Sequence, residues 1–167
     1  MKLTRFETNA AVSFLTALPN KSESGRLSGK TLTAVAVATA ILAEHGRQYN
    51  SALETISEKV KPEGFDKRYA ERKKVLDETF PEGTEFNAEK WAEVSDPEFE
   101  STLIAVNKEF GNAKAELDSE IIDVDLKLTS EHFAEISEVI SGVDKVSVDG
   151  KDLPVMGYLS AISVLFE

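Results

Sequence analysis

Two periods alternate along this chain. Between residues 31 and 60, Val35, Leu42, Tyr49 and Ile56 recur every seventh position, and Leu53 and Val60 stand four beyond the last two of them. That pattern is one apolar stripe of a long helix, stopped by Lys61-Pro62-Glu63-Gly64. At about 1.5 Å per residue it runs about 45 Å, with Gly46 as its weak point. A second stripe, Phe99, Leu103, Val106, Phe110, Ala113 and Leu117, advances in steps of three and four, the spacing of a helix packed lengthwise against another. Asp96 and Pro97 supply its N-cap and first turn. The two stripes are expected to lie side by side as an antiparallel pair with Leu53 and Phe110 in a shared core.

At residue 120 the period drops to two. Ile122, Val124, Leu126 and Leu128 point one way and Asp123, Asp125 and Lys127 the other, which predicts a strand with one wet face. Residues 2–6 alternate enough for a short strand that pairs with 121–128. Thr8 or Asn9 then caps a helix carrying Ala11, Phe14, Leu15 and Leu18 and ending at Pro19. Residues 19–30 read as an exposed polar loop. Tyr69, Leu76 and Phe80 mark a helix over 66–80, and 84–94 fit either a loop or a short helical turn from which Trp91 plugs the core. Thr129 or Ser130 caps a helix through Phe133, Ile136 and Ile140, ended by Gly142. Val146 and Val148 precede the tight turn Asp149-Gly150, and Val155, Tyr158, Leu159, Ile162 and Phe166 form a last helix face. The predicted fold is an α-dominant α+β domain: an antiparallel long helix pair, a small β-sheet and shorter covering helices. No internal repeat or linker divides it, so residues 1–167 are expected to form a single domain.

Charge changes this picture, because it is divided along the sequence. Residues 1–74 hold 13 Lys/Arg against 8 Asp/Glu, whereas residues 75–167 hold 6 against 22. If the two halves occupy different faces, one copy's basic half can meet another's acidic half, or the acidic half can meet a basic partner. If folding interleaves them, the surface is uniformly acidic. The chain has no cysteine, which excludes disulfides, thiolate metal sites and thiol nucleophiles. The start, Met1-Lys2-Leu3-Thr4-Arg5-Phe6-Glu7, lacks the pattern of a secretory signal, and the longest small-and-apolar run, residues 32–43, is shorter than the roughly 18–20 residues of a membrane span. No membrane association is expected, and the compartment expected is the cytoplasm.

Three constellations bear on chemistry. Gly25-Arg26-Leu27-Ser28-Gly29-Lys30-Thr31 runs into a helix as a phosphate-binding loop does. That motif requires a glycine where Ser24 stands, so a surface loop is expected instead, with Arg26 and Lys30 available to a partner. Asp118, Glu120, Asp123 and Asp125 are oxygen donors at a spacing that suits Mg²⁺ or Ca²⁺. They lack the glycine and distal glutamate of a calcium loop, and read better as a solvated acidic face or as a surface for a basic partner. His45 and His132 have no neighbours in a catalytic order, and both read as surface or partly packed side chains. The basic positions Lys67, Arg68, Arg72, Lys73 and Lys74 are interleaved with acids, which argues against nucleic-acid binding. No catalytic residue, cofactor or metal is expected.

The opening KLTRFETNAAVSFLTAL, the central helix pair, and IIDVDLKLTSEHFAEISEVI followed by GYLSAISVLFE resemble the layout of a family of small uncharacterised proteins encoded by bacteriophages and prophages. The resemblance lies in element order and apolar positions, and covers the two ends better than the middle. It implies a phage accessory or structural-module protein, cytoplasmic in a bacterial host or virion-associated, and carries over no functional residue. The function expected is a non-catalytic interaction or assembly protein, associating with itself as a homo-oligomer or with a basic partner through a polarised charge surface. An acidic inhibitor that mimics DNA is the second reading and an enzyme the third.

Overall fold

The computed structural model describes residues 1–166. Their elements follow the order β1 (Lys2–Thr4), α1 (Arg5–Thr16), β2 (Lys21–Ser22), β3 (Gly25–Arg26), α2 (Gly29–Val60), α3 (Phe65–Thr79), α4 (Ala88–Val94), α5 (Pro97–Ser119), β4 (Ile121–Asp123), α6 (Ser130–Ile140), β5 (Lys145–Val148), β6 (Lys151–Pro154) and α7 (Val155–Ser163). The fold is α-dominant α+β, with three antiparallel strand pairs, β1 with β4, β2 with β3, and β5 with β6. None of the described helices is long and apolar enough to cross a membrane.

The chain divides into two compact units. The first combines Met1–Ser51 with Glu116–Glu167, and the second is Ala52–Ala115. In the first, β1 pairs with β4 so that Lys2 faces Asp123 and Thr4 faces Ile121. The alternating stretch continues past the strand with Val124, Leu126 and Leu128 all buried. These three join Leu15, Leu42, Ile136, Ile140, Tyr158 and Ile162 in one core. Tyr158 is fully buried, and its hydroxyl donates to the Phe14 carbonyl at 2.7 Å, which satisfies the polar end of an otherwise apolar side chain. Asp149 and Gly150 both have positive φ, at 49° and 76°, as a two-residue hairpin turn between β5 and β6 requires.

Several local expectations are corrected. The first helix starts at Arg5, with Thr4 as its N-cap, because Thr4 and Glu7 close a reciprocal capping box. The polar stretch 19–30 contains the small β2–β3 hairpin and buries Leu27. Gly46 does not break α2: the helix is continuous through it, and its bare Cα lets Asn9 of α1 approach so closely that a Cβ would lie 3.3 Å from the Asn9 amide oxygen.

Helices α2 and α5 meet in each unit: in the first, Tyr49 on α2 bonds Asp118 near the end of α5, and in the second, Val60 shares a groove with Leu103, Val106 and Phe110 of α5. The second unit is built differently from the first. Its apolar side chains are mostly half-buried, and among the described residues only Phe65 and Phe99 are buried there. Leu53 and Phe110 are each half-buried, not enclosed. Phe110 lines an open groove of about 400 Å³ with Val60, Phe65, Tyr69, Leu103 and Val106. Trp91 is also half-buried and meets Phe80 and Phe86 instead of plugging a core. With few apolar residues in the 84–94 stretch, α4 has one narrow stripe to bury.

Candidate functional site

All six residues singled out from the sequence lie in the first unit. Four of them gather where α5 gives way to β4. Asp118 accepts a 2.6 Å hydrogen bond from the Tyr49 hydroxyl, Glu120 pairs with the Arg5 guanidinium, and Asp123 lies 3.6 Å from the Met1 amino group. Asp125 pairs with Lys127 at 2.5 Å, and the ammonium beside it holds its carboxyl below the usual carboxylate range. Each acid thus has a cationic or hydroxyl partner within the chain. Arg26 is exposed on β3, and Lys30, in the first turn of α2, lies 3.6 Å from Glu131. Among the described residues no three His, Asp or Glu side chains come together as a metal site.

The loop that runs into α2 carries its own anion. Glu135 of α6 accepts from the Ser28 backbone N–H, from the Ser28 hydroxyl at 3.0 Å and from the buried Thr31 hydroxyl at 2.5 Å. The Thr31 hydroxyl and then the Ser28 N–H hold this carboxyl below its usual range. A helix N-terminus attracts negative charge because its first N–H groups lack partners, and here a carboxylate fills that place. His132 departs from the sequence reading. It is buried at the third position of α6, where its Nδ1 accepts from the Thr129 N–H at 3.2 Å, while its Nε2 has no hydrogen-bond partner among the described residues.

In the second unit, one internal pair shows how a guanidinium is held. A single Arg68 nitrogen, Nη2, lies 2.9 Å from both oxygens of Asp96 and 3.5 Å from Glu98, and the Arg68 guanidinium stands 5.4 Å from the centre of the Phe99 ring. Ring face and carboxylates act on the same cation. The first effect holding the Asp96 carboxyl below its usual range is the Phe99 N–H, followed by Arg68.

The same ingredients recur nearby without an arginine. Phe80, Phe86 and Trp91 form a triangle with ring centres 6.0, 6.3 and 6.1 Å apart. Phe86 is 71% exposed. Glu82, Glu85, Glu89 and Glu93, all exposed, each fall within two residues of one of these rings. Sequence reading missed this patch because 84–94 shows no clear hydrophobic period. Its signal was the coincidence of three aromatics and four glutamates within 14 residues.

Charge is distributed over the units in a way the sequence halves conceal. The first unit holds 9 Lys/Arg and 15 Asp/Glu, and the second 10 and 15. The basic N-terminal segment is folded together with the acidic C-terminal one, so each unit is net negative. No protein-family model, curated protein or solved structure matches this chain.

Proposed function

We propose that this chain is a non-catalytic interaction or assembly protein whose partner is a basic protein. One observation carries the reading: both compact units are acidic, although the first 74 residues are basic. A head-to-tail self-association driven by opposite charge needs a basic unit to face an acidic one. With both units negative, two copies repel and a cationic surface is attracted. The open groove beside Phe110 and the exposed Phe86 add apolar area of the kind that interfaces use. The resemblance of the two ends of the chain to phage and prophage proteins supports a setting in a bacterial cytoplasm or a virion.

The DNA-mimic reading rests on Asp118, Glu120, Asp123 and Asp125. Their internal partners reduce the charge they offer, which favours the broader interaction reading.

Zero-length carbodiimide cross-linking in an extract of the native host tests this proposal, because it joins a carboxylate to a lysine in direct contact. Expected are adducts with a Lys/Arg-rich protein that fade at 1 M salt, where the screening length falls to about 3 Å. Adducts with the same chain alone, or none, would overturn it.

A further inference from the structure

We infer that the exposed face of the Phe80, Phe86 and Trp91 cluster is a docking surface for an arginine- or lysine-bearing segment of a protein partner. This rests on the basic-partner reading above and assigns the contact to the second unit. Arg68 supplies the precedent. Within the same unit, that guanidinium is held by an aromatic ring at 5.4 Å and by the carboxylates of Asp96 and Glu98. Phe86 presents a ring that is 71% exposed, stacked at 13° on Phe80 and backed by Trp91. An aromatic face carries negative charge density above its plane and attracts a cation within about 6 Å of its centre.

Charge complementarity selects the occupant. From Glu82 to Glu93 the chain has four glutamates and a single cation, Lys90. Among the described residues, no side-chain hydrogen bond or ion pair engages the carboxylate of Glu82, Glu85 or Glu93. An anionic segment would be repelled from this face, and an uncharged apolar one would leave the carboxylates partly desolvated without compensation. A guanidinium or ammonium satisfies both features at once, stacking its apolar stem on Phe86 while its head reaches a carboxylate. Residues 81–90 are all exposed, which leaves the Phe86 ring accessible to a partner.

Trp91 is the only tryptophan and reports the site directly. The test is a fluorescence titration of the full chain with a capped tetra-arginine peptide, against a Gly/Ser peptide of equal length, with calorimetry in parallel. Expected is a saturable Trp91 change with the arginine peptide alone. The affinity should fall roughly threefold to tenfold in Phe86→Ala, and should fall and lose its salt dependence in Glu85→Gln/Glu89→Gln/Glu93→Gln. Because Phe86 is largely exposed, Phe86→Ala should keep the circular dichroism of the parent. Equal affinity in Phe86→Ala would overturn the docking surface, as would peptide binding detected by heat without any Trp91 change. That second result would leave the basic-partner reading intact, whereas host cross-linking without a basic partner would remove that reading whatever the peptide does.

Discussion

The Thr31 hydroxyl donates to the Glu135 carboxylate at 2.5 Å, joining the first turn of α2 to α6 across 104 residues of sequence. The acid is thereby fixed at the end of a helix whose N–H groups favour negative charge. Its carboxyl titrates below the ordinary 4.5, so the charged form is favoured by folding. The stability it contributes is present above the unfolded value and is lost as pH falls through the lower folded value. Melting temperatures of the parent and Glu135→Gln should therefore differ most near neutral pH and converge in acid. A difference that widens below pH 4 would contradict this linkage.

The hydrogen bond from Tyr158 to the Phe14 carbonyl gives a second expectation. Tyr158→Phe keeps the ring and leaves a buried acceptor unpaired, which should cost about 1–3 kcal/mol in urea unfolding. Burial also holds the phenol well above its ordinary 10. Ultraviolet titration should show Tyr158 ionising only as the fold is lost.

At Gly46 two effects compete. Alanine improves helix propensity by up to about 1 kcal/mol, and its Cβ would meet the Asn9 amide oxygen at 3.3 Å. Asn9 is an exposed side chain that can rotate away, so Gly46→Ala should be neutral or stabilising by about 0.5–1 kcal/mol. A loss above 1 kcal/mol would mean that the α1 backbone itself must retreat.

The two units should answer core truncation differently. Leu42 is fully buried in the first unit, and Leu42→Ala should cost about 2–5 kcal/mol. Phe110 is half-buried beside an open groove, so Phe110→Ala should cost about 1.5–2.5 kcal/mol, roughly half the value for a fully enclosed phenylalanine. Chemical denaturation of the two variants checks the ordering. Equal losses would place Phe110 in a closed core.

Local signals carried far in this chain. Asp96 accepts from the Phe99 N–H as a capping acid should, and Val124, Leu126 and Leu128 are buried as their alternation requires. Where reading failed, the deciding interaction was nonlocal or two signals overlapped. Thr4 serves both β1 and the start of α1, and the apolar Phe6 that favoured a longer strand is 61% exposed on the helix. Nothing near Thr31 announces Glu135. The charge division was visible as a count along the sequence, but the units are assembled from discontinuous segments, and only the fold mixes them. Of the candidate site, Asp118 to Asp125 were legible as acids, while their partners Tyr49, Arg5 and Met1 were not.

The 2.6 Å bond between Tyr49 and Asp118 also spans 69 residues, with the whole second unit inside the loop it closes. For a flexible chain of that length, the length-dependent entropy of bringing the ends together is about 4 kcal/mol. Helices are local and form early, and each one that forms inside the loop removes freely jointed chain from the closure. Helix formation within the second unit is thus expected to shorten the search between the N- and C-terminal segments of the first, a contribution separate from the packing of its own core.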